Sequence, residues 1–297
     1  MRPPYNLGYR GRFAPSPSGL LHFGSLIAAL ASYLDAKHNC GQWLVRIEDI
    51  DPPREKAGAS AQILKTLESY GLHWDEDVLY QSQQSNLYQD VLSNLAQENL
   101  TYLCNCTRAQ IKSVGGVYQG HCRQLNHQAN NNNPSAIRVT NSVAIAQFDD
   151  LIQGHVQCNK QLACEDFIIH RKDGLFAYQL AVVVDDIYQG ISHVIRGCDL
   201  LEPTARQLSL YKILQHQAPT FGHFPLAVTH QGYKLSKQNN APEIDVKNPM
   251  PTLLSALTFL GQAPPKALKY ASVNELLSWA ITHWAINKIP KSQEIIL

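Results

Sequence analysis

Apolar residues recur at helical spacing from about Phe23 to Lys37, where SLIAALASYLDAK carries a stripe that a neighbouring layer must cover. Ahead of it, Tyr9–Ala14 reads as a short strand that Pro15-Ser16-Pro17-Ser18-Gly19 breaks into a turn. Behind it, Gly41–Ile47 (GQWLVRI) reads as the next strand and runs into the acidic stretch Glu48–Asp51. Strand, glycine-containing turn, helix, strand is the opening of a right-handed parallel βαβ unit. The spacing then predicts helices at roughly Ala57–Tyr70 and Ser85–Asn99.

Beyond residue 100 the pattern changes. Residues 101–135 hold three cysteines, a Gly-Gly pair and the Asn-rich stretch Ala129–Pro134, which reads as an exposed loop. Short strands follow at Ser135–Thr140 and Phe167–Arg171, and Val143–Cys158, of mixed β character, is read as a small sheet. Helical spacing returns in Ala177–Val184, then the strand-like HVIRG at 193–197, then LEPTARQLSLYKILQ with Glu202 and Pro203 as a helix start. Two amphipathic helices close the pattern, about Thr252–Leu260 and Val273–Trp284. The expected fold is α/β, a Rossmann-like parallel sheet in two halves (1–100 and 166–248), with an insertion at 101–165 and a short helical region at 249–297.

Composition changes this picture little. No apolar run approaches the ~20 residues that span a bilayer, and MRPPYNLGYRGRF lacks the apolar core of a signal peptide. The expectation is a cytoplasmic protein without a membrane partner, working as a monomer. A formal net charge of +1 neither announces nor excludes nucleic acid, since a local groove of Lys and Arg suffices for phosphate contacts. Seven cysteines, an odd count, argue against a disulfide framework and ask to be read one by one.

Candidate chemistry gathers in three places. In Arg12–Ser25 the turn delivers the chain to a helix whose first turn holds His22, Gly24 and Ser25, and a helix N-terminus seats phosphates. Alone, that reads as a capping histidine and a packing glycine. Gly232–Gln238 (GYKLSKQ) sets Lys234 and Lys237 around a serine, so two ammonium groups can clamp pyrophosphate charge; alone, it is a solvated basic loop. Cys104-Asn105-Cys106 and Cys122 supply three thiolates where zinc takes four ligands, and Tyr118, His121 and His127 are candidates for the fourth. Arg12 and Arg196 stand at strand ends, Glu48 follows a strand and Tyr178 offers a phenol. Read singly, Arg12 and Glu48 are a mutual ion pair and Tyr178 a half-buried core residue.

Together, RFAPSPSGLLHFGS and KLSKQ resemble the HIGH and KMSKS signatures of class I aminoacyl-tRNA synthetases. RFAPSPSG, VRIEDID, HVIRG and KLSKQN match the glutamyl branch in order, over residues 10–240. Ser25 stands for the second histidine and Leu235 for Met. Glutaminyl enzymes typically read RFPPEPNG in the first motif. The resemblance implies ATP with Mg²⁺ held at His22, Gly24, Ser25 and Lys237, with His22, Lys234 and Lys237 catalytic. It implies glutamate binding by Arg12, Phe13, Ala14, Pro15 and Ser16 from the first motif, and by Glu48, Tyr178 and Arg196. About sixty residues follow Lys237, too few for the anticodon-binding regions of the full-length enzymes. The resemblance is thus to their truncated paralogues, the glutamyl-Q tRNA(Asp) synthetases. Those enzymes activate glutamate with ATP without tRNA and transfer it to queuosine at the anticodon wobble position of tRNA(Asp). That subfamily carries a C-x-C…Y-x-x-x-C site, which implies one structural zinc on Cys104, Cys106, Tyr118 and Cys122.

Overall fold

A computed structural model describes residues 8–125, 127, 134–230, the backbone of 233–234, and 242–297. In chain order the elements are β1 (Arg10–Phe13), α1 (Phe23–His38), β2 (Gln42–Ile47), α2 (Ala59–Ser69), β3 (Leu79–Tyr80), α3 (Ser85–Gln97), β4 (Thr101–Cys104), α4 (Arg108–Ser113) and β5 (Ala136–Val139). There follow β6 (Gln147–Asp150), β7 (Gly154–Gln157), α5 (Lys160–Ala163), β8 (Ile168–His170), α6 (Tyr178–Tyr188), β9 (His193–Gly197), α7 (Leu201–Ile213), β10 (Thr220–Phe224) and β11 (Leu226–His230). The chain ends with β12 (Tyr233–Lys234), α8 (Pro249–Phe259), α9 (Val273–His283) and β13 (Glu294–Ile296).

The expected βαβ opening is present. Strands β1, β2 and β3 run parallel in that order, with Arg12 opposite Leu44 and Ile47 opposite Tyr80. Strands β9 and β10 form a second parallel pair. Ser192 joins the two, its N–H donating to the Arg10 carbonyl at 3.0 Å and its Oγ accepting from the Arg10 N–H at 2.8 Å, so β9 lies beside β1. The carboxyl ends of β1, β2 and β9 therefore converge, which is where parallel α/β sheets collect ligands.

Helix α1 lies on these strands and is covered by α8 and α9. Because both sides are covered, ten consecutive or near-consecutive residues from Leu26 to Ala36 are buried, among them Ser32 and Asp35. Asp35 is accommodated by accepting from the Tyr9 hydroxyl and from Trp284 Nε1 at 2.8 Å, which pins the end of α9 to α1. Gly41 makes the tight entry to β2 possible: a Cβ there would stand 2.4 Å from the Tyr9 carbonyl oxygen.

The insertion holds an antiparallel sheet in the order β4-β5-β8 and the hairpin β6-β7. Strand β8 pairs with β5, so the small sheet extends to His170, five residues beyond 165. The hairpin reaches the main strands at β10, where the Leu151 N–H donates to the Phe221 carbonyl at 2.9 Å. The periodicity did not reveal β4, β10, β11 or β13. Strand β10 is buried on four of its five positions, so it carries no polar–apolar alternation, and β4 and β13 are only four and three residues long. No helix among the described residues is long and apolar enough to cross a membrane.

Leu30 is fully buried at the centre of α1. Leu30→Ala should lower the unfolding free energy by about 2–5 kcal/mol through the cavity it leaves, measured by urea denaturation.

Candidate functional site

At the ends of β1, β2 and β9 the chain buries an unusual amount of charge. Glu48 follows just past β2, and Arg46, near the end of that strand, is fully buried. It pairs with Asp186, lies 3.8 Å from Asp185 and donates through Nε to Gln189 Oε1 at 2.9 Å. Arg12 grips the other side of Asp186, with Nε and Nη2 donating to Oδ1 and Oδ2 at 3.1 Å each. Burial would push the Asp186 carboxyl up, but Arg12 and Arg46 hold it down at about 2. Its neighbour Asp185 is raised by burial against the pull of Arg46, and takes hydrogen bonds from Gln81 Nε2 at 2.6 Å and from the Tyr88 hydroxyl. One carboxylate between two guanidiniums is thus the fixed charge on which Arg12 is mounted.

Glu48 stands at the edge of this cluster. Its N–H donates to the Pro15 carbonyl at 3.0 Å, tying the PSPSG turn to the end of β2. Burial pushes its carboxyl up to about 7, against the attraction of Arg46 and Arg12. Tyr178, at the start of α6, lies within electrostatic range of Glu48, Arg196 and Arg12; burial raises its phenol and Glu48 adds to the rise. Burial lowers Arg196 from its usual range. Ser16 and Glu48 line one cavity of about 280 Å³ with Pro17, Ser18, Asp51, Arg54, Glu55 and Lys56.

His22 caps α1, its Nδ1 accepting from the Ser25 N–H at 3.4 Å, so Gly24 and Ser25 fall in the first turn as the spacing predicts. Glu243 forms a β-bridge with His22, and the Ile244 N–H donates to the Leu21 carbonyl at 3.3 Å. The chain that follows the KLSKQ loop therefore returns to the first motif. Of that loop, the Lys234 backbone lies in β12, opposite Val228; Lys237, with 235–241, lies outside the described residues.

In the insertion, Cys104, Cys106 and Cys122 bring their sulfur atoms within 4.8 Å of one another, and Cys106 and Cys122 are 3.5 Å apart. Tetrahedral zinc with bonds of about 2.3 Å would set sulfurs about 3.8 Å apart, so the donor set fits that ion. Burial raises the Cys106 thiol to about 12. Cys122 feels the same burial, yet hydrogen bonds from the Asn105 N–H, Cys106, His127 and Tyr118 bring it down to about 6. The Tyr118 hydroxyl sits in this cluster, accepting from the Cys122 N–H at 2.8 Å, and the Arg138 guanidinium stacks 3.6 Å from its ring centre.

The family described as tRNA synthetases class I (E and Q), catalytic domain, matches residues 9–278. Glutamyl-Q tRNA(Asp) synthetase of Colwellia psychrerythraea is 61% identical over 99% of this chain and 96% of its own length. The protein of the same name from Escherichia coli O157:H7 is 52% identical over 98% of this chain and 96% of its own. The chain belongs to the glutamyl-Q tRNA(Asp) synthetase family. Among solved structures, glutamate-tRNA synthetase from Elizabethkingia anophelis superposes with a TM-score of 0.80 at 26% identity, over 97% of this chain and 68% of that one. A glutamate tRNA ligase from Elizabethkingia meningosepticum, in complex with its amino acid, gives the same score and identity over 97% and 66%.

The synthetase fold brings Arg12, Glu48, Tyr178 and Arg196 into one electrostatic neighbourhood. Arg12 pairs with Asp186 and not with Glu48, so the carboxylate after β2 is not spent on neutralising it. Phe13 packs on Trp43 in the core, ring centres 6.4 Å apart, and the Pro15 carbonyl is taken by Glu48, so both belong to the frame of the turn. Sequence reasoning missed Arg46, Asp185 and Asp186. A signal was present: VVVDDIY sets adjacent carboxylates in an otherwise apolar helix, which is sustainable only if cations wait opposite them. Asp186→Ala should destabilise the fold by roughly 3–5 kcal/mol, because Arg12 would stay buried without its carboxylate and Arg46 would keep only Asp185, 3.8 Å away. Guanidinium denaturation measures this, and an unchanged midpoint would remove Asp186 from that role.

Proposed function

We propose that the chain activates L-glutamate with ATP to glutamyl-adenylate without tRNA, then transfers glutamate to queuosine at the wobble position of the tRNA(Asp) anticodon. The observation that carries the first half is the convergence of two buried arginines, a carboxyl and a phenol at the ends of β1, β2 and β9, next to the HFGS turn. Glutamate brings two carboxylates and one ammonium group, and each needs an opposite charge when it leaves water. Arg12 and Arg196 supply the cations. Glu48 receives the α-ammonium, Tyr178 adds a hydroxyl, and Ala14 and Ser16 leave room at the turn.

In the activation step an oxygen of the α-carboxylate attacks the α-phosphate of ATP, and pyrophosphate leaves with the bonding electron pair. His22, with Gly24 and Ser25 behind it at the α1 N-terminus, faces the phosphates, and Lys234 and Lys237 take up charge on the leaving pyrophosphate. Mg²⁺ accompanying ATP would neutralise further phosphate charge. The second half rests on relatives that bear the tRNA(Asp) name and whose length this chain spans almost entirely. A tRNA substrate in turn implies a cytoplasmic enzyme.

The same reading divides the chain into a first catalytic half (1–100), the insertion (101–165), a second catalytic half (166–248) and a helical region (249–297). Zinc held by Cys104, Cys106, Cys122 and Tyr118 would staple the insertion; His127, hydrogen-bonded to Cys122, is the competing fourth ligand.

ATP–pyrophosphate exchange driven by glutamate in the absence of RNA tests activation, and charging of tRNA(Asp) with and without queuosine tests the acceptor. Exchange should need no RNA, and charging should need the modified base. The pH dependence follows from Glu48: with a carboxyl near 7, about one-tenth is ionised at pH 6 and nine-tenths at pH 8, and only the ionised form pairs with an ammonium. The glutamate KM should therefore fall about tenfold from pH 6 to pH 8, and Glu48→Gln should raise it and flatten the profile.

Elemental analysis should find about one zinc per chain. Cys122→Ser should lose it and lower the melting temperature. Tyr118→Phe should weaken zinc retention against a chelator if the phenol is a ligand, and leave it unchanged if His127 is.

A further inference from the structure

The guanidinium of Arg196 is held by an arrangement its neighbours in sequence do not explain. His223 on β10 and Asp150 on β6 have fully buried side chains. Asp150 Oδ2 stands 2.6 Å from His223 Nδ1, while its Oδ1 accepts the N–H groups of Ile152, Gln153 and His223 at 2.9–3.0 Å. Burial would raise this carboxyl, but the hydrogen bonds from His223 and the backbone hold it below its usual range. A carboxylate only accepts, so the ring proton sits on Nδ1 and Nε2 is left as an acceptor. Into that lone pair Arg196 donates its Nε–H at 3.0 Å.

The other edge of the guanidinium is also committed. Nη2 donates to Thr204 Oγ1 and Gln207 Oε1 at 2.7 Å each. The Thr204 hydroxyl spends its own proton on the Leu200 carbonyl at 2.7 Å, so it does not compete for His223 Nε2. The Phe221 ring lies 4.9 Å beneath the guanidinium carbon. What remains is Nη1, a buried nitrogen with no hydrogen-bond partner among the described residues. An orphaned buried donor is costly, so Nη1 is a nitrogen that a ligand carboxylate would satisfy.

We propose that Asp150 and His223 are positioning residues that fix the tautomer and orientation needed to present Arg196 Nη1 to a carboxylate of the amino-acid substrate. The inference rests on the glutamate reading above and adds a dependence of the pocket on the β6–β7 hairpin, through Asp150. Burial, the largest influence, lowers the imidazole to about 4, which keeps Nε2 an acceptor at neutral pH.

The test is steady-state ATP–pyrophosphate exchange by the full chain and by Asp150→Asn, His223→Asn and His223→Gln, with melting temperatures alongside. Asparagine at 150 can turn its amide donor to the ring and release the wrong tautomer. Asparagine at 223 loses the acceptor, and glutamine can reach the Nε2 position with its own. Asp150→Asn and His223→Asn should raise the glutamate KM about 10- to 100-fold, with the ATP KM within about twofold of wild type, and His223→Gln should recover most of the loss. Folded variants with an unchanged glutamate KM overturn the proposal. So does a loss shared equally by both KM values and kcat that glutamine does not rescue. If His223→Asn does not fold, the nearly isosteric Asp150→Asn decides on the same criterion. No glutamate-driven exchange by the wild-type chain is a different result: it overturns the glutamate reading itself, and this inference with it.

Discussion

Asp186 sits between Arg12 and Arg46 with all three side chains removed from water, and much of the molecule is arranged to keep that possible. Three such groups are tolerable only if every charge is paired and the remaining donors are satisfied. The pairing reaches across elements distant in sequence: β1 supplies Arg12, β2 supplies Arg46, and α6 supplies Asp186 with Asp185 beside it. Gln81 and Tyr88 close the far side on Asp185, and Gln189 takes Arg46 Nε. A parallel sheet brings its strand ends together as a consequence of topology. Here that convergence is also enforced by electrostatics, since separating β1 from α6 would strand buried charge.

In the glutamate reading proposed above, the same constraint prepares the pocket for a charged ligand. A guanidinium free to wander would have to be ordered when a carboxylate arrives, at a cost taken out of binding. Arg12 is already clamped along one edge by Asp186, and Arg196 along two by His223, Thr204 and Gln207. Glu48 is different. It stands in the cluster with no salt bridge to Arg12, and its carboxyl is raised to about 7, a group poised to ionise when a cation binds beside it. Fixed cations and one titrating acid suit an amino acid that carries two carboxylates and one ammonium.

How far this was legible depends on the range of each interaction. Strand β1, helix α1 and strand β2 follow from local periodicity and turn chemistry, and their bounds fall within two residues of those the pattern predicts. That Arg12, Glu48, Tyr178 and Arg196 are neighbours is expected only through the motifs around them, because nothing local tells that residues 12, 48, 178 and 196 meet. The partners Asp186 and His223 escaped for the same reason: their meaning lies in what stands opposite, 174 and 27 residues away. The apolar helix VVVDDIY could have been questioned on chemistry alone; HVIRG could not have pointed to His223 in the same way. Strand β10 was hidden by its own success at being buried, since a strand covered on both faces shows no alternation.

The insertion looks separable by composition, with its cysteines and Asn-rich loop, and the structure argues against treating it so. Its sheet closes on the Cys104–Cys106–Cys122 cluster at one end. Its hairpin enters the main body at the other, where Asp150 accepts from the backbone and ring of His223, next to Arg196. Between these two ends the insertion is also tied to α7, where Ser209 Oγ accepts from the Ile145 N–H at 3.0 Å and Arg206 pairs with Glu165. Such an arrangement accounts for a buried pair formed by Asp150 of the hairpin and His223 of β10. The pair is worth burying there because the guanidinium it steadies has one nitrogen still to satisfy, and no side chain of the described residues supplies the partner.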